Sequence, residues 1–173
     1  MTFAFGHLIS AWIPGKLYEK IKQTTISHYT WFFLIFGGIL PDADFILEWT
    51  IGQKAHRTFT HSISFLIIVP LLIYFFFTYL KPHKEAKQFA IALAVGILTH
   101  LLLDMVASNG IPLFWPNLTR ISFNYIGLPD PSTPSFLHAT PDKLTHSLKL
   151  AVLDMGLGTT WIFYLWYKKK LEF

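Results

Sequence analysis

An aspartate inside an apolar run constrains this chain more than any other feature. From Phe89 to Met105 only Thr99, His100 and Asp104 are polar. A carboxylate held at the centre of a membrane helix costs roughly 3 kcal/mol on insertion scales, so it needs a partner that offsets the loss of water. His100 stands four residues before Asp104. On a helix the two share one face, a turn apart. That geometry can grip one metal ion from two sides. The plainer alternative is an Asp–His hydrogen bond that glues helices together.

The surrounding composition decides what kind of helix this is. The chain is 53% hydrophobic and only 14% charged, where soluble domains carry about 25% charged residues. Its mean hydropathy is +0.44. It holds 17 Phe, 7 Tyr and 6 Trp. These values indicate an all-α, polytopic membrane helical bundle, read as a single domain over residues 1–173. Stretches 31–49, 61–80, 88–106 and 146–167 each approach the roughly 20 residues that a crossing needs. Residues 1–14 are apolar but shorter, so four to five transmembrane helices are expected. No basic residue precedes that first stretch, which is not the order of a secretory signal. Gly37, Gly38 and Pro41 predict a break in the first long stretch, and Pro70 a kink in the second.

Charge sets the orientation. Lys16, Lys20 and Lys22 form one cluster, Lys81, Lys84 and Lys87 another, and Lys168 to Lys170 a third. Excess lysine marks cytoplasmic loops, so the C-terminus is expected inside an inner-membrane protein. The net charge of +4 then reflects topology, and no nucleic-acid partner is expected. His7, Asp42, Asp44, His56, His61, His100 and Asp104 all fall toward the outer ends of their segments in this scheme. With no cysteine in the chain, a metal would be held by imidazole and carboxylate. That donor set suits zinc, with manganese or iron as alternatives.

Each constellation has a plain and a functional reading. Asp42 and Asp44 follow the helix-breaking Pro41 and could be helix-end caps or metal-binding and proton-accepting carboxylates. The run His56-Arg57-Thr58-Phe59-Thr60-His61-Ser62 holds two His, one Arg and three hydroxyls. On a regular helix, His56 and His61 would stand about 140° apart and would not share one ion. Arg57 suits bidentate recognition of phosphate. Asn109 stands close after Asp104 as a substrate-binding candidate, while Trp115 reads as an interface anchor. His138, His146 and Asp154 have no assignable role, and Asp154 no identifiable partner.

In order along the chain stand His7, Gly37-Gly38-Ile39-Leu40-Pro41-Asp42-Ala43-Asp44, the His56–Ser62 run, His100-Leu101-Leu102-Leu103-Asp104, Gly110 and Trp115-Pro116. This combination resembles the YdjM family, over about the first two thirds of the chain. Its members are membrane-bound proteins described as metal-dependent hydrolases, and also as LexA-binding and inner-membrane-associated. The resemblance implies hydrolysis with no defined substrate, and no residue here connects with LexA. A more distant likeness is to zinc-dependent phospholipase C and nucleases. In that group an Asp, a His and a His-x-x-x-Asp bind zinc in this order. That likeness implies Asp42 or Asp44, His56 or His61, then His100 and Asp104 as ligands. The group's later His-x-x-x-Glu has no counterpart, because Leu150 follows His146. One metal, or two sharing an aspartate, is therefore expected rather than three.

These readings converge on a membrane-bound metal-dependent hydrolase. Its metal ligands would come from His7, Asp42, Asp44, His56, His61, His100 and Asp104. Its catalytic groups would be Asp42, Asp44 and Arg57, and its substrate contacts Arg57 and Asn109. The expected partner is membrane lipid, and the expected substrate a phosphoester of a lipid or lipid-linked molecule near the outer leaflet. The alternative is a metal-ion or proton-coupled transporter using the same Asp/His cluster. A haem-binding electron carrier and a structural scaffold are the weaker alternatives.

Overall fold

The apolar run that carries His100 and Asp104 forms the central helix of the molecule. In a computed structural model of the chain, residues 4–44, 46, 50, 57–106, 110–123 and 141–168 are described, those at 141–148 and 150 without side chains. The helices described over their whole length are α1 (Ala4–Lys22), α2 (His28–Ile39), α3 (Ile63–Phe75), α4 (Ala86–Val106) and α5 (Pro141–Tyr167). Turns of 3-10 helix occupy Leu40–Ala43 and Phe59–His61, and a π turn over Phe76–Leu80 extends α3. Among the described residues there is no strand, only an isolated bridge between Ile111 and Ile121.

Among the described residues, two stretches are long and apolar enough to cross a bilayer, Ile63–Leu80 and Ala86–Val106. Half of the second is buried inside the protein, against 11% of the first. Phe89, Leu93, Ile97, Leu101 and Met105 of α4 form the core, while α3 turns Leu71, Leu72 and Phe75 outward. Helix α4 packs on α1, α2 and α3, and α5 packs on α1. The first long apolar stretch is not one continuous helix. Helix α2 stops at Ile39 and gives way to a 3-10 turn containing Pro41. The predicted break is therefore present, and its cause is the missing N–H of proline. Helix α3, in contrast, runs through Pro70. Serines begin two of the helices. Ser27 accepts a hydrogen bond from the N–H of Thr30, and Ser62 from that of Phe65.

Glycines set how closely the helices approach. A Cβ on Gly37 would lie 2.5 Å from the carbonyl oxygen of Leu93, and one on Gly96 would collide with that of Leu34. The neighbouring Gly38 faces α1, where a Cβ would come within 2.7 Å of Ala11 Cβ and 3.0 Å of the His7 carbonyl oxygen. Small residues at such crossings let backbones touch, which is how helices associate where lipid removes the hydrophobic drive.

Asp154 has a partner that the sequence did not reveal. From α5 its carboxylate accepts hydrogen bonds from the backbone N–H groups of Phe5 (3.2 Å) and Gly6 (3.0 Å). It caps the positive N-terminal end of α1, just before His7. At the other end of the bundle, Ser27 donates to Glu85 at 2.5 Å, and Glu19 accepts from Lys16, the Ile26 N–H and Trp31. The segment 110–123 braces the first end. Its Leu113 carbonyl accepts from Ile63 N–H, Phe123 N–H donates to the Met105 carbonyl, and Trp115 sits edge-on to Phe59.

Candidate metal centre

Four segments bring their polar residues to one end of the bundle. His7 comes from the first turns of α1, and Asp42 and Asp44 from the turn after α2. Arg57 and His61 come from the segment before α3, and His100 and Asp104 from the last turns of α4. His7, Asp44, Arg57, His61, His100 and Asp104 are all buried. His56, Asn109 and His138 lie outside the described residues, as does the side chain of His146.

Hydrogen bonds to the far nitrogens decide which atoms face the centre. His100 Nδ1 lies 2.8 Å from the carbonyl oxygen of Gly38. A carbonyl only accepts, so Nδ1 carries the proton and Nε2 keeps its lone pair. That carbonyl is available because α2 ends here, where the last carbonyls lose their helical donors. His61 is set by a longer relay. The Thr60 hydroxyl donates to Asp44 Oδ2 at 2.6 Å and lies 2.9 Å from His61 Nδ1. With its proton given to the carboxylate, the hydroxyl accepts from Nδ1–H. When that ring is neutral, His61 also presents a bare Nε2.

The two Nε2 atoms face each other at 3.2 Å. Asp42 Oδ1 lies 3.5 Å from His61 Nε2 and 3.6 Å from His100 Nε2. Asp104 Oδ2 lies 3.4 Å and 4.0 Å from the same atoms. Four lone-pair donors crowded together repel one another unless a cation sits among them. Metal bonds of about 2.0–2.2 Å place tetrahedral ligands roughly 3.3–3.6 Å apart, close to most of these separations. Among the described residues, two groups could hold an ion, His61 with His100 and Asp104, and His7 with Asp42 and His100.

Unsatisfied atoms and charge point the same way. His7 Nδ1 and Asp104 Oδ2 are buried with no hydrogen-bond partner among the described residues. The His7 ring stacks on that of His100 at 3.8 Å, and its Nε2 lies 3.6 Å from Asp104 Oδ1. Buried polar atoms are rarely left without partners, and an ion is one explanation. Arg57 Nε lies 3.3 Å from Asp104 Oδ2. With the imidazoles neutral, as metal ligands must be, three carboxylates against one guanidinium leave an excess of two negative charges among the described residues, which a divalent cation balances.

The two aspartates of the Pro41-Asp42-Ala43-Asp44 turn are thereby separated. Asp42 faces the bare nitrogens and keeps some exposure, with 14% of its side chain accessible against 2% for Asp44. Asp44 lies on the Nδ1 side of His61, where it also accepts the Arg57 N–H at 3.2 Å. Arg57 takes the left-handed backbone conformation, φ 58°, which is strained for an arginine. The bond from its N–H to Asp44 helps hold it there.

Thr60 is a residue that pattern reading passed over, visible only as one hydroxyl among three in its motif. Thr60→Val should weaken divalent-metal affinity about 10- to 100-fold, the usual effect of losing an orienting partner. Thr60→Ser, which keeps the hydroxyl, should restore most of it. Titration with a competing chelator checks both, and equal affinities for wild type and Thr60→Val would refute the relay.

The family model described as YdjM inner membrane protein matches residues 1–171, beyond the two thirds over which the motifs suggested a likeness. The uncharacterized protein YvsG of Bacillus subtilis (strain 168) is 38% identical over 66 residues, covering 38% of this chain and 37% of its own. The inner membrane protein YbcI of Escherichia coli (strain K12) is 36% identical over 91 residues, covering 47% of this chain and 51% of its own. The alignments thus span about half or less of these relatives. No solved structure matches the chain.

Proposed function

This chain belongs to the YdjM inner membrane protein family, and from that membership and its His/Asp centre we propose that it is a membrane-bound metal-dependent hydrolase of lipid or lipid-linked phosphoesters. The observation that carries the reading is the apposition of His61 Nε2 and His100 Nε2 at 3.2 Å beside two carboxylates. His61, His100 and Asp104 would hold the ion, with Asp42 or His7 completing the set. Zinc suits these donors best, with manganese or iron as alternatives. When bound, a divalent ion lowers the pKa of a water toward neutrality and polarises the scissile group.

The chain's own residues supply the rest. Asp42, the more accessible carboxylate of its turn, accepts the proton of the attacking water. Asp44 is engaged by Thr60 and the Arg57 backbone, so its role is to orient His61. Arg57 holds Asp104 in place and puts a guanidinium at the centre, suited to a phosphoester oxyanion. The depth of the centre supports a lipid substrate, since His100 and Asp104 lie in the last turns of a helix long enough to cross a bilayer.

The two ends of the bundle support the proposed orientation. The Ser27–Glu85 bond joins the end of the α1–α2 connection to the start of α4. Lys16, Lys20, Lys22, Lys81, Lys84 and Lys87 gather around these connections, opposite the His/Asp centre. Lysine-rich ends face the cytoplasm, so the centre faces the outer leaflet in a bundle of four or five crossings.

The test is turnover in proteoliposomes. Zinc-loaded protein should release a soluble phosphate or headgroup from at least one class of phospholipid or lipid-linked pyrophosphate. Asp42→Asn should slow that release about 10²- to 10⁴-fold, the range for losing a general base. Protein with stoichiometric metal that leaves every such lipid intact would overturn the reading.

A further inference from the structure

A groove of about 300 Å³ runs between α3 and α4, away from the His/Asp centre. Lys87, Ala90 and Ala94 line it from α4, and Ile67, Pro70 and Tyr74 from α3. Both sets follow the i, i+3 or i+4, i+7 spacing of one helix face. The groove therefore runs along the helix axes for about 10 Å, seven residues at 1.5 Å each. Its two alanines and its proline leave the space that longer side chains would fill. The helices are antiparallel, so Lys87 and Tyr74 lie at the end near the connection and Ala94 and Ile67 deeper along the spans.

The geometry points to a binding site for one anionic phospholipid, its acyl chain in the groove and its phosphate at the Lys87 ammonium. Two features select that occupant. The floor is apolar along its length and opens sideways on an exposed face of α3, where Leu71 is 48% accessible. Among its described lining residues the one cation is Lys87, exposed and in the first turn of the span Ala86–Val106. The nearby acid, Glu85, accepts from Ser27, so its carboxylate is turned to the α2 side. An ammonium is a point charge able to bind a phosphate, and basic residues at the cytoplasmic side of membrane helices recognise anionic headgroups. This site is independent of hydrolysis and requires only that the chain sit in a membrane.

The test is lipid retention by the purified full chain, read by native mass spectrometry. Equal amounts of phosphatidylglycerol and phosphatidylcholine with identical chains are supplied in detergent. Wild type should retain one phosphatidylglycerol in at least fivefold preference. Lys87→Gln should remove that preference, while Lys84→Gln, outside the groove, should keep it. Ala90→Leu with Ala94→Leu should reduce retention of both lipids, with the helical circular dichroism signal unchanged to show that the bundle persists. Glycerol phosphate in excess should not displace the lipid. Equal retention of the two lipids by wild type, or equal loss of preference in Lys87→Gln and Lys84→Gln, would overturn the site. Displacement by glycerol phosphate would also overturn it, because the headgroup alone would then account for binding.

Discussion

Replacing His100 with alanine is expected to abolish stoichiometric metal binding, read as moles of zinc per mole of protein after reloading and desalting. Two losses add at this position. The ring supplies one of the two Nε2 atoms facing each other at 3.2 Å, and its Nδ1 bond to the Gly38 carbonyl ties α4 to the end of α2. Asp104→Ala should lose the metal as well, and should cost stability besides. Arg57 Nε lies 3.3 Å from Asp104 Oδ2, with both side chains more than nine-tenths buried. Removing one member of a buried ion pair destabilises by about 3–5 kcal/mol. Asp104→Asn keeps the shape but removes the same charge, so both the metal and part of the stability should be lost there too. Wild-type protein that takes up neither zinc nor manganese would remove the metal centre altogether. Full metal content in His100→Ala would remove His100 from it.

Gly96→Ala is expected to lower the thermal stability of the bundle although it adds one methyl group far from any charge. That methyl would collide with the backbone carbonyl of Leu34, and the Gly37 Cα would lie 2.9 Å away. Backbone cannot rotate aside as a side chain can, so α2 and α4 must separate. Overpacking of this kind costs about 1–3 kcal/mol. Because Gly38 follows Gly37 on α2, the separation also pulls its carbonyl from His100 Nδ1, and metal affinity should fall with stability. Gly156→Ala is the control, since a Cβ there meets nothing within 4 Å. A Gly96→Ala variant as stable as wild type would mean that the two helices do not cross at these glycines.

Much of the centre was legible as residue types. His and Asp are costly in apolar segments, so His7, Asp42, Asp44, His61, His100 and Asp104 stood out before any fold was known. The break at Pro41 was equally legible, because proline lacks a donor whatever surrounds it. Division of labour within the pair Asp42 and Asp44 was not legible. The two residues are chemically identical and two positions apart, and only the path of the 3-10 turn places one before the bare nitrogens of His61 and His100 and the other behind His61. Nor could spacing have disclosed the cap that Asp154 forms on α1, since its partners are backbone N–H groups about 150 residues earlier.

What the sequence determined by itself was the class of molecule, an all-helical membrane protein with an imidazole and carboxylate donor set and no thiol. Composition and the cost of intramembrane charge are local properties, readable residue by residue. The tertiary structure decided which atoms meet. In a neutral imidazole one nitrogen offers a lone pair only when the other carries the proton and donates it, and the groups that fix this are remote in sequence: the Gly38 carbonyl for His100, and Asp44, which makes the adjacent Thr60 hydroxyl an acceptor for His61. That selection depends on α2 ending against α4, which glycines at their crossing permit, and chain order does not encode such contacts.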